Sequence, residues 1–325
     1  MQPNHQRVHI DAALTNISVA FMQGEADYIA NRVFPIIPVE KASDYYYVFG
    51  KEAWFTDEAK PRAVGSEANS GGYEISSDRY STVEYAFRHP VYDRVRQNAD
   101  NQIDVDKNGM KLCTRKGLIK SERLFVNSFF KTGVWSTDIA GVASGATPGT
   151  SVIHWSDYSS GSPIKNVDNA RETVLKATGY LPNTMVIGFE GFNVLKEHPI
   201  VLDKIKYTQK GVVTEDLLAQ IFGVDRFFVA KSVVNTAAKG QTMTGAFNFG
   251  KSVWLGYVNP DPSPEMPSAG YTFAWTGVSE GLGEEVGVRR YREEAKRCDW
   301  FEMEMALDLK KVAAELGYFF SEIFA

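Results

Sequence analysis

The sequence predicts an α+β chain with long strands near both ends, one long helix between them, and a mixed sheet covered by helices in the second half. Three observations carry that expectation. Residues 108–130 repeat small or apolar side chains at three- and four-residue spacings, the period of a helix. Residues 166–233 alternate helix-like and strand-like segments. Phe301, Met303, Met305, Leu307 and Leu309 alternate with Glu302, Glu304, Ala306, Asp308 and Lys310, as in a strand with one apolar face.

The totals agree with these patterns. A chain of 325 residues can build one large domain or two ordinary ones. Its 20 Phe and 15 Tyr favour pleated, half-buried surfaces, hence substantial β structure. A net charge of −5 argues against a general nucleic-acid binder, although a local basic face remains open. Two cysteines, Cys113 and Cys298, can form neither a disulfide framework nor a zinc site, and both are expected to be buried thiols in a reducing compartment. The opening MQPNHQRVHID lacks the apolar core of a signal peptide. No run approaches the ~18 apolar residues of a membrane span, so the chain is expected to remain soluble in a cytoplasm, without membrane partners.

Residues 1–44 read as an extended arm with a short helix near Ala26–Arg32, after which Pro35 and Pro38 forbid helix. Two strand-like runs follow, YYYVF (residues 45–49) and YSTVEYAFRHPV (residues 80–91), and together they read as one long hairpin. Between them lies a polar, glycine-dotted excursion, residues 50–79, too long for an ordinary connection. An isolated hairpin is marginal in water, so this one calls for a partner surface. On the helix, Met110, Cys113, Gly117, Ser121 and Leu124 form the recurring stripe. Lys107, Lys111, Arg115, Lys116, Lys120, Arg123 and Lys131 decorate it against a single acid, Glu122. Such a face is either solvated, paired to an acidic neighbour, or turned towards a polyanion.

Residues 136–165 read as loop. Asn166 or Asp168 can cap the next helix, and Gly179 sits at its C-terminal cap. TMVIGF is a short buried strand, EGFNVLKEH a helix ended by Pro199, and Thr214 caps EDLLAQIFG before the strand RFFVAKSVV. GAFNFGKSVWLGYV and YTFAWTG read as strands on either side of a proline-rich connection.

Motifs for chemistry are weak. Gly245–Ser252 fits the phosphate-loop spacing, but Phe247 and Phe249 crowd the loop and strand, not helix, follows. A nucleotide-binding enzyme built on Lys251 is therefore a distant alternative. Asp104–Gly109 starts like a calcium loop, but Arg115 stands where the bidentate glutamate belongs. Turn and cap chemistry at the start of the long helix is the better account. Gly281–Gly287 misses the dinucleotide spacing, and the five histidines form no ligand cluster. No cofactor, metal or catalytic residue is expected.

The order of elements, arm, hairpin, long helix, α/β unit and late long strand, resembles the major capsid proteins of tailed double-stranded DNA bacteriophages, the Hong Kong 97 type of fold that encapsulin shells share. Residues 167–199, 214–233 and 248–264 carry the most specific part, with YTFAWTG, RRYREEAKRCDWFEMEM and VAAELGYFF completing the series. The resemblance implies an N-arm at 1–44 and an E-loop hairpin at 45–91. It implies a peripheral domain at 92–165 and 286–312, with its spine helix at about 108–130, and an axial domain at 166–285 and 313–325. It further implies a chain that is not an enzyme but self-assembles into pentamers and hexamers of an icosahedral shell around DNA. A separate scaffolding protein, a portal, a decoration protein and weak contact with packaged DNA are the implied partners, with assembly in the bacterial host cytoplasm and residence in the virion. An encapsulin-like compartment is the alternative. Under this reading the excursion lacks a core because a neighbouring subunit supplies one. Trp54 and Phe55 would be its apolar anchors, Lys51, Lys60 and Arg62 its charged contacts. Lys111, Arg115, Lys116, Lys120 and Arg123 would form the basic face of the spine helix.

Overall fold

The computed structural model describes residues 23–99, 104–206, 213–261, 266–278 and 287–325. The first 22 residues of the expected arm, nearly all of the Gly281–Gly287 segment and part of the proline-rich connection lie outside the described residues. From the N-terminal side the chain forms α1 (Ala30–Val33), β1 (Ile36–Val39), β2 (Ser43–Phe49), α2 (Glu52–Phe55), β3 (Ile75–Ser81), β4 (Val83–Tyr92), α3 (Asp93–Gln97) and α4 (Val105–Phe129). The middle holds β5 (Thr137–Val142), β6 (Ser151–Ile153), α5 (Pro163–Thr178), β7 (Thr184–Gly188), α6 (Phe189–Glu197), α7 (Pro199–Ile205), α8 (Glu215–Phe222) and β8 (Arg226–Ala230). The last part holds β9 (Val233–Asn235), β10 (Gly245–Phe247), β11 (Val253–Gly256), β12 (Gly270–Trp275), β13 (Gly287–Glu293), β14 (Cys298–Lys311) and β15 (Gly317–Ser321).

A six-stranded mixed sheet, ordered β6-β5-β15-β11-β7-β8, organises one half. Its central strands β15, β11 and β7 are buried almost throughout because both faces are covered. Met185 and Ile187 of β7, Val253 and Leu255 of β11, and Tyr318 and Phe320 of β15 point into a core shared with Val167 and Val174 of α5, Leu195 of α6 and Leu218 and Phe222 of α8. The alternate residues Val186, Trp254 and Phe319 point the other way. There they meet Phe34 from the arm and Phe125 and Phe129 from α4. Phe34 sits at the centre, 4.7 Å from the Phe129 ring and 5.3 Å from Trp254, both edge-on, a geometry that adds to plain area burial.

The second half is organised by β14. It pairs along one side with β12 and then β13, and along the other with β4 in a ten-residue antiparallel ladder from Cys298↔Tyr92 to Leu307↔Val83. Phe301, Met303, Met305 and Leu307 are buried, matching the alternation read from sequence, and α4 lies across them through Cys113 and Leu124. The Cys113 thiol donates to the Phe301 carbonyl at 3.3 Å, and both cysteines are free and buried. Gly109 allows this approach, since a Cβ there would stand 3.2 Å from the Phe301 ring and 3.3 Å from His89.

The caps follow their chemistry. Asp104 accepts from the Lys107 amide at 2.9 Å and starts α4, so the calcium-loop spacing is indeed cap chemistry. Thr214 accepts from the Leu217 amide at 3.3 Å, and Gly179 ends α5 in the left-handed region at φ 74°. Gly245–Ser252 forms a strand and a turn that lead into β11, with no helix to face a phosphate, and Phe249 is buried in the aromatic cluster.

Several segments differ from the sequence reading. The hairpin partner of β2 is β3, drawn mostly from the polar excursion with only Tyr80 and Ser81 from the expected run, in register from Ser43↔Ser81 to Phe49↔Ile75. The run expected to close the hairpin, β4, pairs with β14 instead. Residues 136–165 contain two strands, β5 and β6, that join the six-stranded sheet, and β12 joins β1 and β14. These pairings cross the expected division at residues 165 and 285. Helix α5 starts at Pro163, ahead of both expected caps, because proline suits the first helical turn. Met110, expected on the buried stripe of α4, is exposed, and Gly109 takes its place.

Candidate assembly interface

The hairpin has a fixed base and a bare tip. At the base, the Tyr80 ring stacks on Phe273 of β12 at 4.7 Å and 12°, and Tyr46 packs against the same ring at 5.5 Å. The Tyr46 hydroxyl donates to Asp78 at 2.8 Å across the ladder. Alternation then turns Tyr45 and Tyr47 to solvent. Beyond the ladder the chain makes the single turn α2 and continues without strand or helix to β3. Trp54 and Phe55 are 65% and 63% exposed, in the company of exposed Val64, Tyr73 and Ile75. A tilted Trp54–Tyr73 pair at 5.6 Å is among the few contacts within this tip. Several large apolar side chains are thus left exposed along one segment, the kind of surface that makes a candidate interface.

Two contacts tie the tip to its own chain. The Lys51 ammonium pairs with Glu315 and donates to the Ala177 carbonyl at 3.3 Å. Phe55 lies against Gly179, where a Cβ would meet its ring at 2.8 Å. Lys60 is exposed, and among the described residues the exposed Arg62 bonds within the tip, to the Ser66 carbonyl. The structure thus brings Lys51, Trp54 and Phe55 together near the C-terminal end of α5 and leaves Lys60 and Arg62 away from them.

The basic residues of α4 distribute unevenly. Lys111, Lys116 and Arg123 are exposed. Lys120 places its ammonium 4.4 Å above the Tyr85 ring. Arg115 is half-buried, and one of its guanidinium nitrogens finds no acceptor among the described residues. Among the described residues no carboxylate lies within ion-pair distance of these five. The acids of α4 are committed elsewhere. Asp106 binds Arg96 at 2.7 Å. Glu122 is fully buried and faces the arm.

That buried carboxylate is the residue sequence reasoning missed. Glu122 accepts from the Ile29 amide at 3.1 Å and the Ala30 amide at 2.9 Å, the open donors at the start of α1, and from the Ser232 hydroxyl at 3.0 Å. Burial pushes its carboxyl up to about 7, against the pull of those three donors. The arm is stitched to the same place by Gln23, whose amide donates to the Lys231 carbonyl and accepts from the Val233 amide at 3.1 Å. The available signal was a lone acid among seven cations.

A third cluster braces the long ladder. Asp299, buried on β14, accepts from Arg96 at 2.6 Å and from Arg290 on β13 at 2.5 Å, and Arg292 grips Asp93 through two nitrogens at 2.6 and 2.7 Å. The Arg290 hydrogen bond holds the Asp299 carboxyl below the usual range, and Arg292 does the same for Asp93.

No helix among the described residues is long and apolar enough to cross a membrane. No family model matches the sequence. The chain is 26% identical over 278 residues to the major capsid protein of Burkholderia phage BcepMu, covering 82% of this chain and 84% of that one. A phage-related protein from Bordetella bronchiseptica RB50 superposes with a TM-score of 0.68 at 23% identity, over 93% of this chain and 94% of the other. The capsid protein of cyanophage P-SCSP1u superposes with a TM-score of 0.63 at 8% identity, over 96% and 92%. The architecture is the Hong Kong 97-type capsid fold.

Proposed function

We propose that this chain, with its Hong Kong 97-type fold, is the major capsid protein of a tailed bacteriophage and closes into the shell of the head. The observation that carries this is the 26% identity to a phage major capsid protein along most of both chains, on a fold that phage capsids share. The role is structural, and its first partner is itself. A protein-cargo compartment, the alternative raised by the sequence, has less behind it, because the curated relative is a phage protein.

Under this reading the arm up to about residue 44 is the N-arm, the β2–β3 hairpin the E-loop, α4 the spine helix of the peripheral domain, and the six-stranded sheet the axial domain. Trp54 and Phe55 are the anchors that a neighbouring subunit covers. Lys51, Lys60 and Arg62 supply charged contacts around them. What supports this is the exposure of the tip beside the firm packing of its base. Lys111, Arg115, Lys116, Lys120 and Arg123 give α4 a positive face in a chain of net charge −5. That face would meet packaged DNA weakly or receive an acidic scaffolding partner before DNA enters. A portal and a decoration protein complete the partners, with assembly in the host cytoplasm.

Negative-stain microscopy of the protein co-expressed with the genes beside its own tests the proposal. Closed shells, or rings of five and six, are the expected result. A dispersed monomer of about 36 kDa under those conditions would remove it.

A further inference from the structure

We propose that Glu122 is a proton-linked fastener of the N-terminal arm, holding residues 23–34 on α4 when neutral and loosening them when ionised. The inference rests on the capsid reading only for its consequence, the freedom of the arm, and its chemistry can be tested without it.

The geometry gives the carboxyl one task. It lies wholly inside the protein and touches three segments at once. From the arm it takes the amides of Ile29 and Ala30. From the turn between β8 and β9 it takes the Ser232 hydroxyl, itself fixed by the Asn248 amide at 3.1 Å. Its own helix packs Phe125 and Phe129 against Phe34 of the arm just below. If the arm lifts, this carboxyl enters water, and if the arm docks, it leaves water.

The charged surroundings do not compensate it. On the arm, Tyr28 is the facing titratable group, its hydroxyl held above the usual range mainly by burial. On α4, Arg115 lies two turns earlier and acts on Tyr28, and its guanidinium makes no ion pair with Glu122. On the β8–β9 turn, Lys231 is engaged by Glu215 at 2.9 Å. Arg32, further along the arm, lies over the Phe228 ring at 5.1 Å. The docked carboxyl therefore prefers its proton up to about pH 7, whereas a hydrated glutamate loses it near 4.5. Docking takes up a proton between those values, so the opening equilibrium rises with pH by up to tenfold per unit there and levels off above.

The test is amide hydrogen exchange at Ile29 and Ala30 in the purified full chain, in whatever assembly state it adopts, corrected for intrinsic rates, from pH 5 to 8.5. We expect protection to fall on the order of 30-fold between pH 5 and 7 and to flatten above about pH 8. Glu122→Gln mimics the neutral acid and should remain protected across the range. Ser232→Ala removes a donor that favours the ionised form, so it should move the bend to higher pH. Equal pH dependence in wild type and Glu122→Gln overturns the inference. So does a Ser232→Ala variant weakened equally at every pH, which is what a purely structural contact would give. Failure of the capsid reading would appear separately, as absence of shells with this pH dependence intact.

Discussion

At the residue scale, two buried carboxylates carry opposite signs. Glu122 sits above its ordinary value, so the folded chain binds its proton more tightly than the unfolded chain. Its contribution is fully present below about pH 4.5 and is lost as pH rises towards 7, amounting to roughly 3 kcal/mol over that interval. Asp299 sits below its ordinary value, so its contribution is present above the usual carboxylate range and is lost as acid protonates it. Asp299→Asn is expected to cost on the order of 1–3 kcal/mol at neutral pH, because Arg96 and Arg290 lose a charged acceptor. Urea unfolding at pH 7 and pH 3 checks this. The gap between wild type and variant should narrow in acid, and a gap that stays constant would argue against an ionic role.

At the element scale, the hairpin tip and the strand packing predict opposite outcomes for substitution. Trp54→Ala with Phe55→Ala removes exposed side chains and should change subunit stability by no more than about 0.5 kcal/mol. The same pair should sharply reduce shell yield, measured by sedimentation. Gly188 ends β7 where a Cβ would stand 2.3 Å from the Gly250 carbonyl oxygen, and backbone cannot step aside as a side chain can. Gly188→Ala should therefore cost 1–3 kcal/mol or more and lower the thermal midpoint of the subunit itself.

These elements also show what was legible in the sequence. Periodicity recovered β14 and α4, and local cap chemistry recovered Asp104, Gly179 and Thr214, because each signal lies within a few residues. The strand β3 escaped. Its residues ISSDRYS are polar and almost wholly exposed, and it is a strand because β2 offers a ladder, not because a face is buried. The partner of β4 escaped for a related reason. Alternation identifies a strand but not its neighbour, and β14 lies more than two hundred residues away. The strands β5 and β6 are short, and β5 takes its place from the C-terminal β15. Trp54 and Phe55 could be read as anchors only because a family resemblance supplied a reason for the excursion. Glu122 was visible as an oddity, but its partners stand 92 to 110 residues distant.

At the scale of the whole molecule, a rigid centre carries parts that it does not need. The two-faced sheet and the β14 ladder hold the main buried clusters of apolar side chains among the described residues. The hairpin leaves this body with its base packed and its tip exposed. Under the proposed capsid role, one chain would serve in rings of five and of six, which asks the bodies to keep their shape while the connections between them bend. The Lys51–Glu315 pair and the Phe55 contact at Gly179 keep the tip near its own α5 in the single chain. Assembly would exchange these small contacts for a neighbour's surface.

The most direct measurement is a cryo-electron microscopy reconstruction of particles assembled from this protein, at a resolution that shows side chains. The account predicts a closed icosahedral shell in which Trp54 and Phe55 are buried against an adjacent subunit. It would be contradicted by particles in which both rings remain open to solvent, or by a protein that forms no shell when its neighbouring genes are present.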